Sequence, residues 1–184
     1  IVDARDTQQI LALQEAQGLN YLVHGLTLNA HVLWCLGYPQ AAFEDAQAAV
    51  DLAREFAEPF NQALAVTYRA TLQAWRAPLE TFLAYAEDAV ALTEEYKAPY
   101  YHAWAKILLC FAKAQQISNP ESLDQFRCAI ADFIETGAHI RLPVYFSFLA
   151  QAYQRAGRLD DGLYALDRAL AESQQNDEHW WDGE

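Results

Sequence analysis

The sequence predicts an all-α fold in which helical hairpins stack into a solenoid, and three observations predict it. All six prolines fall at near-even intervals: Pro39, Pro59, Pro78, Pro99, Pro120 and Pro143, with steps of 20, 19, 21, 21 and 23 residues. Proline has no amide hydrogen and a fixed φ, so it fits the first turn of a helix or lies outside one, and each proline marks a helix start. Displacing the chain against itself by 40 residues aligns Ala49, Ala89, Ala129 and Ala169, followed by Val50, Val90, Ile130 and Leu170. On the preceding helix it aligns Ala30, Ala70, Cys110 and Ala150. Small residues at fixed positions let two helices cross closely, while the adjoining aliphatic fills a neighbour's groove. No segment alternates polar and apolar residues with the β-branched enrichment of a strand.

Taken in chain order, a first helix is expected over 4–17, followed by four units of two helices near 19–58, 59–98, 99–138 and 139–178, in one domain covering 1–184. The first helix of each unit, termed A, spans about 19–36, 60–76, 100–117 or 141–157; the second is termed B. Asn119, Pro120 and Glu121 read as N-cap, first helical residue and acidic first turn. Gly37, Gly137 and Gly157 stand where helices should stop. His179 to Glu184 read as the cut-off start of another helix, so nine complete helices are expected.

A hydrophobic content of 53% excludes intrinsic disorder. Apolar runs such as Ile107 to Ala112 are far too short to span a bilayer. The chain opens at Ile1, holds no methionine and shows no basic stretch before an apolar segment, which predicts no signal peptide and a piece of a longer, cytoplasmic polypeptide. Cys35, Cys110 and Cys128 form no metal-binding or disulfide pattern and are expected as buried, reduced thiols. A net charge of −13 argues against nucleic-acid and anionic-membrane partners.

No glycine-rich phosphate loop, nucleophile elbow or zinc-protease signature occurs, so neither a catalytic residue nor a cofactor is expected. His24 and His31 share a helix face but lie about 10.5 Å apart along it, too far for one metal ion. Acidic pairs such as Asp160-Asp161 sit at a helix start, where the helix dipole accounts for them.

Ala150, Tyr153, Gly157, Leu159, Gly162, Leu166 and Ala169 stand at the spacing of the tetratricopeptide consensus, which the fourth unit resembles. The longer period matches a subfamily. Leu36-Gly37-Tyr38-Pro39, the run Ala49 to Glu55, the run Arg141 to Phe146 and Glu178-His179-Trp180-Trp181 resemble the repeat region of large bacterial signalling proteins. In those proteins a nucleotide cyclase or other output domain and a P-loop ATPase precede the repeats. The resemblance implies a right-handed superhelix of about four repeats whose A helices line a concave groove. It also implies a non-catalytic regulatory or protein-binding module whose parent carries adenylate or guanylate cyclase and ATPase domains. A sensor for a peptide or oligosaccharide in the same groove is the alternative.

The A helices contain no Asp or Glu, yet their spans hold six of the twelve basic residues: Arg69, Arg76, Lys106, Lys113, Arg141 and Arg155. Burial of the A helices or a neutral-to-basic groove would each produce this pattern. The consensus groove positions include His24, His31 and Trp34, then Thr67 and Thr71, then Trp104, Ile107 and Phe111, then Ser147 and Gln151. Flanked by Lys106 and Lys113, such a floor would take a protein or peptide with an apolar anchor and net negative charge, possible also from another domain of the same chain. For Trp104 and Phe111 the spacing fits ordinary core positions equally well.

Overall fold

The computed structural model describes residues 20–182, and the regular secondary structure among them is entirely α-helical. Eight helices follow in order: α1 (Tyr21–Cys35), α2 (Pro39–Phe56), α3 (Pro59–Arg76), α4 (Leu79–Glu95), α5 (Pro99–Gln116), α6 (Pro120–Glu135), α7 (Leu142–Arg155) and α8 (Leu159–Asn176). The helix expected over 4–17 lies outside the described residues.

The helix starts follow from proline chemistry. Pro39, Pro59, Pro99 and Pro120 are the first residues of α2, α3, α5 and α6, Pro143 is the second of α7, and Pro78 is the N-cap of α4. At α6 the Asn119 side chain accepts the Ser122 amide at 2.8 Å while the Ser122 hydroxyl accepts the Asn119 amide at 3.0 Å, a reciprocal capping box. Gly37, Gly137 and Gly157 end helices with positive φ as expected. Ala57, Lys97 and Asp177 do the same at φ 54°, 53° and 53° without glycine, each at a steric cost of roughly 1 kcal/mol.

Connections of two or three residues fold each odd-numbered helix against the even-numbered helix after it. The odd-numbered helices then pack on one another in sequence, α1 on α3, α3 on α5 and α5 on α7. Each even-numbered helix also touches the next odd one, α2 on α3, α4 on α5 and α6 on α7. The result is the neighbour-to-neighbour packing of a helical repeat, with the A helices as one layer and the B helices as the other. Ala49, Ala89, Ala129 and Ala169 are all buried at the crossings, as are Ala30, Ala70 and Ala150. At the last crossing, a Cβ on Gly162 would sit 3.4 Å from the Ala150 carbonyl oxygen, so the two backbones are nearly in contact.

Arg141 joins the far end of the A layer to its middle. Its guanidinium lies 4.2 Å from the ring centre of Trp104 and 5.0 Å from that of Tyr68, and donates to the Tyr68 hydroxyl at 3.0 Å. Its backbone amide donates to both carboxylate oxygens of Glu178 at 2.9 and 2.8 Å. One residue thereby ties α3, α5, α7 and the segment after α8.

The last B helix shows what each repeat needs from the next. Leu163 and Leu170 of α8 are 62% and 52% exposed, while their equivalents one repeat earlier, Leu123 and Ile130, are 0% and 3% exposed. Helix α7 packs on α6, whereas no helix among the described residues packs on α8 in that way.

Two stability outcomes follow. Ala89→Leu or Ala129→Leu forces a branched side chain into a closed crossing and should cost about 1–3 kcal/mol in urea melts; a loss below about 0.5 kcal/mol would show that the crossings can open. Arg141→Lys keeps the charge but loses the planar face stacked between Trp104 and Tyr68, and should cost about 1–2 kcal/mol by the same measurement.

Candidate functional site

The A layer has one face turned away from the B helices, and that face is hollow. Its floor is built from the later halves of the A helices: Trp34 of α1, Ala74 and Trp75 of α3, Phe111 of α5, and Phe148 and Gln151 of α7. Together with Trp181 they line a pit of about 230 Å³. The rings lean on one another across repeats. Trp34 lies 5.2 Å from Trp75 between ring centres, and Phe111 stacks on Phe148 at 4.0 Å and 4°.

The chain after α8 closes over this floor. Residues 178–182 form a turn in which Trp181 stacks on Trp75 at 5.7 Å and donates its indole N–H to the Ser147 hydroxyl at 2.9 Å. Trp180 meets His31 edge-on at 4.9 Å and donates to Glu178 at 2.7 Å. A single turn thus reaches α1, α3 and α7. Ser173 at the end of α8 anchors the turn by donating to Asp182 at 2.6 Å, and His179 sits 2.8 Å from the same carboxylate. The Ser173 hydroxyl, with His179 beside it, holds the Asp182 carboxyl below its ordinary range.

The sequence-predicted groove residues divide into three groups. His31, Trp34, Phe111, Ser147 and Gln151 come together at the floor or its rim. Thr67, Thr71, Trp104 and Ile107 are buried beneath it and present no surface to a partner in this structure. The threonines are accommodated there because their hydroxyls donate to backbone carbonyls one turn back, Thr67 to Ala63 at 2.7 Å and Thr71 to Thr67 at 2.9 Å. His24 is half-buried, and its carbonyl accepts the Thr27 hydroxyl at 2.8 Å.

Lys106 and Lys113 form the third group, and they do not flank the floor. They line a shallow depression between α5 and α6 with Leu109, Cys110, Asp124 and Cys128. Lys106 pairs with Asp132 of α6 at 2.7 Å. The reason is helical phase: five residues separate Lys106 from Phe111, which turns them about 140° apart around the helix. Arg69 likewise points into the B layer, pairing with Asp88 of α4 at 2.9 Å, bonding Gln47 of α2 at 3.3 Å and covering the Tyr85 ring at 4.4 Å. Arg69 and Lys106 of the A helices thus meet acids of the B helices, and neither contributes a free cation to the neutral-to-basic groove that the charge pattern suggested. The expectation of buried thiols also fails at two of the three cysteines, since Cys35 and Cys128 are exposed and only Cys110 is partly covered.

Trp75, Phe148, Trp180 and Trp181 were not among the predicted groove residues. The usable signal was tryptophan placement, because Trp34 and Trp75 both fall at the ends of A helices. Among the described residues no group of His, Cys, Asp and Glu could hold a metal ion, and no helix is long and apolar enough to cross a membrane. No protein-family model, curated protein or solved structure matches the chain.

Burial among Trp75 and Trp180, with the positive charge of Arg141 adding to it, lowers the His31 pKa from 6.5 to about 4. The unfolded chain takes up this proton more readily than the folded one. The contribution of neutral His31 is therefore intact above about pH 6.5 and erodes as pH falls towards 4. Between pH 7 and 4.5 the wild type should lose about 1–3 kcal/mol more than His31→Phe in urea melts. Equal losses would mean that His31 reaches solvent freely.

Proposed function

We propose that this chain is a non-catalytic protein-interaction or regulatory scaffold of tetratricopeptide type. In this reading it is four 40-residue repeats of a right-handed superhelix, belonging to a larger cytoplasmic bacterial signalling protein of the cyclase and ATPase kind. The observation that carries the reading is the hollow face of the A layer, where four repeats and the last turn converge on one aromatic floor. Aromatic side chains supply much contact area at small conformational cost, and they dominate the energetics of protein interfaces. The resemblance of the sequence to signalling repeat regions supplies the cellular setting.

The charge of the partner is a separate matter. With Arg69 and Lys106 paired to Asp88 and Asp132, the floor is aromatic and polar, so an apolar anchor is the better supported half of the expectation. A second reading, a sensor for a small peptide or sugar, draws on the partial enclosure of the pit and on Gln151 beside the rings.

Gln151, which lines the floor, and Gln154 one turn on, which lines the adjoining depression against α8, are exposed on α7, and Glu87 and Glu94 are exposed on the B-layer helix α4. Cross-linking in cell lysate followed by mass spectrometry should show capture of partners reduced about tenfold by Gln151→Arg with Gln154→Arg, and unchanged by Glu87→Lys with Glu94→Lys. Far-UV circular dichroism verifies that both double variants stay helical. The opposite pattern would place the interaction surface on the B layer.

A further inference from the structure

Trp181 and Trp75 are unequally satisfied where they stack. Trp181 has its indole N–H on the Ser147 hydroxyl and its ring on Trp75. The Trp75 N–H is covered and has no hydrogen-bond acceptor among the described residues. A buried donor without an acceptor is disfavoured, so this arrangement leaves room for a better occupant. Such an occupant must place an aromatic ring on Trp75 and bring a carbonyl oxygen close beside that ring. An aromatic residue within a peptide does both, because its ring and its backbone carbonyl are a few bonds apart.

The turn that carries Trp181 is suited to exchange. It is held to α8 by the contacts of Ser173 with Asp182 and His179, and to α7 by Glu178 and Ser147. His179 and Asp182 are exposed, where hydrogen bonds and ion pairs are readily traded for water. Beneath the turn, the pit bounded by Trp34, Phe111, Phe148 and Gln151 is already open.

We propose that the floor is an aromatic-anchor site, occupied in this structure by the chain's own Trp181, and that it takes in its place an aromatic side chain of a partner polypeptide together with the adjoining backbone carbonyl. The proposal rests on the interaction reading above and names the chemistry that the surface recognises. Trp181 then acts as an internal competitor, and the apparent affinity for a partner falls by the fraction of time it occupies the floor.

The probe is N-acetyltryptophanamide, followed through the indole N–H signals of the isotopically labelled chain. Addition to about 10 mM should shift the signals of Trp34, Trp75 and Trp181 and leave that of Trp104, which is fully buried in the core. Indole, which has a ring but no carbonyl, should bind about fivefold more weakly than the amide, and Trp181→Ala should bind the amide about fivefold more tightly. Ser147→Ala keeps the Trp181 ring and removes the hydrogen bond that retains it, losing besides only the hydroxyl's local bond to the Val144 carbonyl, so it should raise affinity in the same direction should Trp181→Ala disturb the turn.

Absence of shifts, equal shifts at Trp104, equal binding of indole and amide, or unchanged affinity in both variants would each overturn the proposal. Failure here combined with loss of capture in the glutamine variants would remove the aromatic anchor and leave the scaffold reading standing.

Discussion

The distance at which paired helices cross governs the rest of this molecule. Alanine at 49, 89, 129 and 169, and again at 30, 70 and 150, is buried where the helices pack, and in the last hairpin the approach is so close that a Cβ on Gly162 would sit 3.4 Å from the Ala150 carbonyl oxygen. Side chains of this size add little area of their own. Much of the apolar surface that stabilises the fold is buried by bulkier residues such as Phe82, Trp104 and Tyr145, each of which meets an aromatic ring of the neighbouring hairpin. One aromatic ring from each A helix, Trp34, Trp75, Phe111 and Phe148, meets a ring of a neighbouring A helix at the floor, and Trp181 touches both Trp75 and Phe148.

The segregation of charge has a structural origin for the residues whose partners can be seen. Acids are absent from the A helices, and the bases at Arg69 and Lys106 reach across to Asp88 and Asp132 on B helices. Exposed pairs of this kind contribute little, about 0–1 kcal/mol each. Arg69 is different because it is nearly covered. Burial is what lowers its pKa, and Tyr85 and Asp88 act against that effect. Arg141 takes a third solution, a buried guanidinium held between aromatic faces with a tyrosine hydroxyl as acceptor. Across the four A helices, position within the turn determines whether a cation serves the hairpin or the interior.

Features that depend on one or two adjacent residues were legible in the sequence. Pro120 after Asn119, and the glycines at 37, 137 and 157, fix helix ends by local sterics, and the alanine rows fix the repeat because spacing survives folding unchanged. The floor was only half legible. Trp34 and Gln151 were identified by register, but Trp104 has the same periodicity as a groove residue and proved to be core, because an inner helix packed on both sides has more buried faces than one. Trp75 and Trp181 meet across a gap of more than a hundred positions, and their contact exists only once the hairpins have stacked. Reading Lys106 as a neighbour of Phe111 failed for want of angular bookkeeping along a single helix.

The uncovered leucines of α8 bear on how the molecule breathes. In a stack where every hairpin leans on its neighbours, opening free energy is highest for units supported on both sides and falls towards an unsupported end. Amide hydrogens of α5, enclosed by α3, α4, α6 and α7, would then exchange with solvent most slowly. The turn bearing Trp180 and Trp181 is anchored on α8 through Ser173, so any local opening at that end of α8 would uncover the aromatic floor as part of the same fluctuation.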